Sequence, residues 1–474
     1  MSKSKRKAAA TKCELTKVNT QLTHASLLRR ALEWFTKSNS LQNLSVHGNV
    51  GWKPMDLVML AVLWAWSDRG TLRAAFDDAR QLVQELFGVT AVTSYQGLTG
   101  ALRTYTDRLL ALLWPHLHTR MEEVAGKHWR IGLWLALAVD GSRVTTPRTQ
   151  ANEQAFASRN YGHGRKARSR TKWKNKKRRS KKISSPVKPQ IWLTLIWHMG
   201  LKLPWSWRSG PSTASERGHL LEMLDSQKFA ENTLFCGDAG FVGYDFWKTI
   251  HDRQHQFLVR VGANVRLLKN LGAVRKHQDR VYLWPDAAVR RKQPPLVLRL
   301  IRFQGPREPV FLVTSVLSDR TLSLRQAAQL YRLRWGVELQ FRALKQTFGR
   351  TKLRSRTPEN AVLELHWSLV GLTLIQLFAV KEQIQVDSPP ALSSVALALS
   401  VIQDAMRNWS REVHDPRQLA HRLRAATKDT YQRQTSKQAR YRPDFKDKPC
   451  ATAPIITTAT SQQRRAYQQL KAAA

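Results

Sequence analysis

Three short apolar runs, each with a polar stop behind it, constrain the fold most strongly. Residues 131–139 (IGLWLALAV), 191–198 and 233–236 have the length and the ending of buried strands. Between the second and third, residues 216–224 carry apolar side chains at helical spacing. Strands alternating with helices imply an α/β core. The first run stops at Asp140-Gly141, and the third leads into Gly237-Asp238-Ala239-Gly240-Phe241. An Asp followed by Gly after a strand is often only a turn. Two such acids in one α/β core are a stronger signal, because strand ends are where open α/β sheets build their sites. The other chemistry-bearing residues nearby read otherwise. Glu216 and Asp245 suit packing, capping or surface roles, His198 and His219 lack metal-ligand spacing, and Cys236 sits in an apolar run as a core residue.

Around this core the texture changes. Residues 1–125 read as helical, with apolar periodicity in 27–35, 55–66, 82–87 and 102–117. No helix-turn-helix or zinc-finger pattern is visible there, and the region is expected to contact DNA through its charge. Residues 257–261, 296–303 and 310–314 are apolar or β-branched, with turns at Gln293-Pro294-Pro295 and Gln304-Gly305-Pro306, so about 250–318 reads as a β-rich insertion. From Leu322 the chain is helical again. Thr357-Pro358-Glu359 starts a long apolar helix, Pro389-Pro390 stops it, and another follows over about 392–406. The tail from about Lys428 is basic and polar and is expected to be loosely ordered. The expected division is a helical 1–125, an α/β 126–355 with the β-rich insertion, and a helical 356–474 with a basic tail.

With 474 residues the chain exceeds what one core organises. It carries 78 Lys and Arg against 34 Asp and Glu, a net charge of +44. So large an excess of one sign opposes compaction and calls for a polyanionic partner, nucleic acid first and an anionic membrane second. The membrane reading is weak. The longest apolar runs, 57–66 and 369–380, fall short of the roughly 20 residues a spanning helix needs. No secretory signal is visible, and Cys13, Cys236 and Cys450 are odd in number and far apart, which suits a reducing, cytoplasmic setting. The charge is densest over residues 159–182, where thirteen of twenty-four residues are Lys or Arg, including Lys176, Lys177, Arg178 and Arg179. No Asp or Glu occurs between Glu153 and Glu216. Such a run cannot be a neutralised salt-bridge face, and it reads as a loop that tracks phosphates.

The sharpest pattern lies at Tyr331, Arg334, Glu338 and Lys345, spaced by three, four and seven. At about 100° per residue they share one helix face within about 60°, while Leu333, Val337, Phe341 and Leu344 can pack the neighbouring face. The plain reading is an amphipathic helix with an i,i+4 ion pair. Gly336 lies between the two halves of the motif and can break the helix.

These residues resemble the signature of the insertion-sequence-four family of DDE transposases: Tyr, two residues, Arg, three residues, Glu, six residues, Lys. All four positions match in type and spacing. Asp140-Gly141-Ser142 resembles the family's first acidic motif and 237–241 its second, and the distance from Asp238 to Glu338 matches its β insertion. The resemblance covers about 130–350. It implies an α/β ribonuclease-H-like core with a β-rich insertion, flanked by helical N- and C-terminal regions. It further implies that Asp140, Asp238 and Glu338 hold two Mg²⁺ or Mn²⁺ ions for cleavage and strand transfer, and that Tyr331, Arg334 and Lys345 grip phosphates near the scissile bond. The implied partners are double-stranded DNA, as transposon ends and target, and a second copy of the chain in a synaptic complex. The chemistry agrees: in-line displacement at phosphorus uses paired divalent cations, and Mg²⁺ takes oxygen ligands and keeps several waters. Hairpin-forming relatives place a Trp in the last strand of the insertion. Here Val310-Phe311 stands there, and Phe311 reads as core. Two other functions fit the same residues: a nuclease of the same fold that cuts without joining, and a transposase-derived DNA-binding protein that has lost catalysis. The intact acidic set disfavours the second.

Overall fold

The structure is a computed structural model. It describes residues 22–36, 44–47, 50–88, 92–157, 188–272, 279–305, 308–429 and 453–472. The basic run with Lys176, Lys177, Arg178 and Arg179 lies outside the described residues.

Helices α1 (His24–Thr36), α2 (Pro54–Trp66), α3 (Leu72–Phe87) and α4 (Tyr95–Ala125) come first. The α/β part then begins with β1 (Leu135–Thr145), α5 (Gln150–Phe156), β2 (Gln190–His198) and β3 (Leu203–Gly210). It continues through α6 (Glu216–Ser226), β4 (Thr233–Gly237), α7 (Tyr244–Asp252) and β5 (Gln256–Arg260). Strands β6 (Arg266–Lys269), β7 (Arg280–Leu283), β8 (Leu296–Gln304) and β9 (Pro309–Thr314) follow, with the short helix α8 (Asp286–Arg290) between β7 and β8. All the strands belong to one mixed sheet in the order β10-β6-β7-β8-β9-β5-β4-β1-β2-β3, in which β10 is Ile455–Thr458. Strands β1 to β3 form an antiparallel meander, whereas β4 runs parallel to β1 and β5 parallel to β4. The parallel steps require crossovers, and α6 and α7 supply cover for them.

Three sequence expectations change here. First, Asp140 is not at the end of a strand. β1 runs on to Thr145 because β2 pairs with it throughout, placing Asp140 opposite Leu195 and Thr145 opposite Gln190. The parallel neighbour β4 stops at Gly237, and its last partner on β1 is Ala138, opposite Cys236. Asp140 therefore lies just past the carboxyl end of the parallel pairing, level with Asp238. Second, the strands of the expected β-rich insertion at about 250–318 join the core sheet: β5 is the parallel neighbour of β4, and β9, β8, β7 and β6 carry the same sheet outward. Third, the tail is partly ordered. β10 pairs in parallel with β6, Ala459 is buried, and Tyr467 of the last helix (Ser461–Ala472) packs against Tyr282 and Trp284. Only a few apolar residues make these contacts, so the tail shows little periodicity.

After the sheet the chain forms α9 (Leu324–Arg334), α10 (Gly336–Arg342) and a π-helical turn at Ala343–Thr347. Ser323 caps α9 in a reciprocal box with Gln326. The long helix α11 (Pro358–Ile384) starts where the sequence predicts, with Thr357 accepting from the Asn360 N–H. Helices α12 (Val395–Arg407) and α13 (Gln418–Arg424) complete the second helical region. It packs onto the first: α11 lies against α2 and α4, and Trp66 donates its indole N–H to the Gly371 carbonyl at 2.9 Å. Both α2 and α11 are mostly apolar and are buried on every side over most of their length. Among the described residues, one helix, α11, is long and apolar enough to cross a membrane, and 94% of that stretch is buried inside the protein.

Candidate active site

The acids gather where the sheet changes from parallel to antiparallel pairing. Asp140, on β1, accepts a hydrogen bond from the Gly141 N–H at 2.8 Å. Asp238, in the turn after β4, accepts one from the Gly240 N–H at 2.7 Å. Helices α9 and α10 pack on β1, and α9 also covers β4. This brings Arg334 to 3.9 Å from Asp140 and 3.9 Å from Glu338, so one guanidinium stands between two carboxylates. Arg334 is 4% exposed, its Nε has no partner, and the rings of Tyr331 and Trp335 flank it at 5.5 and 5.8 Å. Lys345 reaches β1 instead and donates to Ser142 Oγ at 2.6 Å.

The four signature residues do not lie on one continuous helix, as their spacing suggests. The α-helical ladder breaks at Trp335, α10 starts afresh at Gly336, and Lys345 falls in the π-helical turn. Gly336 meets that break through space rather than through backbone freedom. A Cβ there would stand 2.0 Å from Cη2 of the buried Trp197 on β2, so only glycine lets α10 settle this close to the sheet. Behind the motif, Thr145 N–H donates to the Thr351 carbonyl and Leu353 N–H to the Thr145 carbonyl. These bonds tie the end of the motif to the end of β1.

The electrostatics are those of crowded anions. Burial pushes the Asp140 carboxyl up to about 6. The Gly141 N–H and Arg334 oppose the rise, and the charges of Asp238 and Glu338 add to it. Burial also raises Glu338 above the ordinary carboxylate range, with Arg334 opposing. A fourth acid is present that the sequence reading set aside. Glu216, the first residue of α6, is pushed up to about 7 by burial and by the charges of Asp140 and Asp238. It stands half-buried beside the other acids, not free on the surface. Its position right after the Ser215 cap reads as ordinary helix-start chemistry, and only the fold carries it to the other acids.

The donor set suits a hard divalent cation. It consists of carboxylates only, and the histidines nearby are engaged elsewhere: His219 Nδ1 pairs with Thr194 Oγ1 at 2.9 Å, and His198 is buried with burial pushing it down to about 3. Among the described residues no group of three or more Asp, Glu, His or Cys side chains is placed to hold a metal ion as it stands. Mg²⁺ usually keeps several waters and takes only one or two carboxylates directly, so it does not need three ligands already in place. Cys236 is buried and pushed up to about 12, which excludes a thiolate at ordinary pH. Asp245 is exposed and pairs with Arg291, as a surface role requires. Phe311 is half-buried at the margin of the core, with Arg302 over its ring at 5.7 Å, and is not the interior residue expected.

The transposase DDE domain family matches residues 201–374, a span that includes Glu216, Asp238 and Glu338 and leaves Asp140 outside. The chain is 27% identical over 264 residues to the transposase InsG for insertion sequence element IS4 of Escherichia coli (strain K12). That match spans 54% of this chain and 54% of that protein, about half the length of the curated relative. Among solved structures the chain is similar to a piggyBac transposase synaptic complex with hairpin DNA. The identity is 12% and the TM-score 0.36, over 86% of this chain and 85% of that one, a likeness that carries no argument here. The domain match and the relative bear out the resemblance to DDE transposases of the insertion-sequence-four type.

Proposed function

We propose that this chain is a DNA transposase that cleaves phosphodiester bonds at transposon ends and joins the freed 3′-hydroxyls to target DNA, with Asp140, Asp238 and Glu338 as its catalytic acids. The observation that carries the reading is one buried Arg334 at 3.9 Å from both Asp140 and Glu338, with the charge of Asp238 acting on both acids, at the parallel-to-antiparallel switch of the sheet. The strand order β3-β2-β1-β4-β5, with β2 antiparallel to the other four, supports a ribonuclease-H-like core within 126–355. The helical 1–125 and 356–474 complete the proposed domains.

The three carboxylates would hold two Mg²⁺ or Mn²⁺ ions, which supply Lewis-acid polarisation and an activated oxygen nucleophile when bound. The chain's own residues account for the rest. Arg334 is oriented by Asp140 and Glu338 and walled by Tyr331 and Trp335, and would give its guanidinium to a phosphate oxygen. Lys345, anchored on Ser142, adds a point charge on the other side of Glu338, and Tyr331 a phenol donor. Lys176, Lys177, Arg178 and Arg179, with the rest of the run 159–182, would follow the duplex backbone. A second copy of the chain would pair the two ends.

The test is Glu338→Gln, nearly isosteric but without the charge a divalent cation needs. DNA binding should persist while cleavage and joining both disappear, on a gel of nicked, cut and joined products with Mg²⁺ and with EDTA. Asp140→Asn and Asp238→Asn should match it without additive loss. Cleavage at wild-type rate by Glu338→Gln would falsify the catalytic assignment. Cleavage by the wild type without joining, on its own terminal repeats, would make the chain a nuclease.

A further inference from the structure

We propose that the groove between α10 and the start of α12 is an anion site separate from the acids and holds a backbone phosphate of bound DNA; that the phosphate is DNA's rests on the reading above. The groove has a volume of about 470 Å³. Among the described residues no Asp or Glu lines it, whereas Lys202, Lys428, Arg332 and Arg342 do. Charge of one sign on the walls of a concave site focuses the field on an incoming anion. The groove opens to the surface beside Trp335 and Leu339, which are 59% and 45% exposed, so a long chain can lie across it.

Three kinds of donor converge there. Lys202 ends the turn between β2 and β3 at φ +64°, a left-handed backbone that few residues other than Gly, Asn and Asp adopt readily. A lysine held in that conformation points to a use for its side chain. Its ammonium stands 5.1 Å from the Trp197 ring centre and donates to the Met199 carbonyl at 2.6 Å. Lys428 is seated by backbone pairing: its N–H donates to the Leu392 carbonyl, and the Ser394 N–H donates to the Ala426 carbonyl. Its ammonium donates to the Ala391 carbonyl at 3.0 Å. Among the described residues neither lysine has a carboxylate partner, and each ammonium, with three N–H bonds, has donors to spare. The two lysines feel each other: burial pushes Lys202 down to about 8, and the charge of Lys428 adds to the fall. The third donor is the N-terminus of α12. Ser394 caps it by accepting from the Leu397 N–H. The N–H groups of Val395 and Ala396, residues that also line the groove, have no partner among the described residues. Ser393 beside them is 8% exposed, and its Oγ has no partner. Two ammoniums without an acid, the positive end of a helix and an unsatisfied buried hydroxyl together suit an anion rich in acceptor oxygens, as a phosphate is.

The experiment has two parts, both on the full-length protein. The first is trace acetylation of lysines read by mass spectrometry, alone, with duplex DNA, and with inorganic phosphate at the same phosphate concentration. DNA should shield Lys202 and Lys428, and inorganic phosphate should not. Equal shielding by inorganic phosphate would assign the groove to a free phosphorylated ligand and overturn the DNA source, and shielding by neither overturns the site. The second part asks whether the two lysines share one phosphate. If they do, Lys202→Gln, Lys428→Gln and the double variant should each lower the slope of log DNA affinity against log salt by about 0.9. A double variant that lowers it by about 1.8 marks two independent surface contacts and overturns the site, as does an unchanged slope. Where Lys202→Gln does not fold, Lys202→Asn, which suits the left-handed backbone, decides in the same way. Both parts read binding alone, so loss of this site leaves the cleavage assignment standing. A wild type that binds no DNA sinks both.

Discussion

Gly336→Ala tests whether the approach of α10 to the sheet sets the geometry of the acids. The added methyl would stand 2.0, 2.7 and 2.8 Å from three ring carbons of Trp197. Carbon atoms rest about 3.5–4.0 Å apart, so the two groups must separate by roughly 1.5 Å. Trp197 cannot recede. It is 3% exposed, lies in the middle strand of the meander opposite Ala138 and Pro204, and carries Lys202 over its ring. The strain therefore falls on α10, which bears Glu338 in its first turn. Overpacking of this kind costs about 1–3 kcal/mol. Displacing a catalytic group by about 1 Å can cost about 10²-fold in rate. The expected outcome is a lowered melting temperature, near-normal DNA affinity and a cleavage rate down by about two orders of magnitude. Adding Trp197→Leu removes the obstructing ring and should recover part of that rate. The competing view treats Gly336 as a mere helix breaker, in which case alanine should stabilise the protein by about 0.5–1 kcal/mol. A more stable and fully active Gly336→Ala would refute the spatial argument.

Three further expectations follow from other parts of the molecule. The carboxyls of Asp140 and Glu216, at about 6 and about 7 against ordinary values of 3.8 and 4.5, bind protons more tightly folded than unfolded. Metal-free protein should therefore lose stability as pH rises through about 4 to 7, and Mg²⁺ should flatten that loss; melting curves in EDTA and in Mg²⁺ across this window check it, and identical slopes contradict it. Glu364, 1% exposed, accepts from the Arg354 and Ser355 N–H groups and from Ser355 Oγ beside Arg350. Glu364→Ala strands these partners and should cost about 3–5 kcal/mol in urea unfolding, and a loss under about 1 kcal/mol would show the cluster to be dispensable. Replacing Lys176, Lys177, Arg178 and Arg179 with Gln should flatten log affinity for DNA against log salt by about 0.9 for each phosphate that is no longer neutralised, and an unchanged slope would make the run plain solvated surface.

The sequence revealed the core through its apolar runs because strands buried on both faces leave an unbroken signal, as in β1, β2 and β4. It did not reveal β3, whose Leu203-Pro204-Trp205-Ser206-Trp207 mixes a proline with tryptophans and carries no period. It placed Asp140 at a strand end because β1 leaves the interior there: its residues up to Val139 are buried and the next four are half-exposed. The change of burial was legible, whereas the continued pairing with β2 was not. Tyr331, Arg334, Glu338 and Lys345 were found by spacing, although that spacing crosses a helix break and a π turn. The crowding of Glu216 against Asp140 and Asp238 was not legible because its environment is made by residues distant in sequence, Gly141 and Gly240 among them.

The π turn at Ala343–Thr347 has a mechanical consequence. One residue more per turn widens the helix and loosens its ladder, so this segment is the compliant joint between two stiffer grips. On one side Glu338 rides on α10, wedged against Trp197 through Gly336. On the other, Lys345 is pinned to Ser142 and the chain beyond it to Thr145. The turn therefore sets where Lys345 meets β1 separately from where α10 seats Glu338. Deleting a single residue there would stiffen the joint into an ordinary α-helix and turn Lys345 by about 100° away from β1. The seven-residue interval between Glu338 and Lys345 is thus the length of a spring as well as the mark of a face.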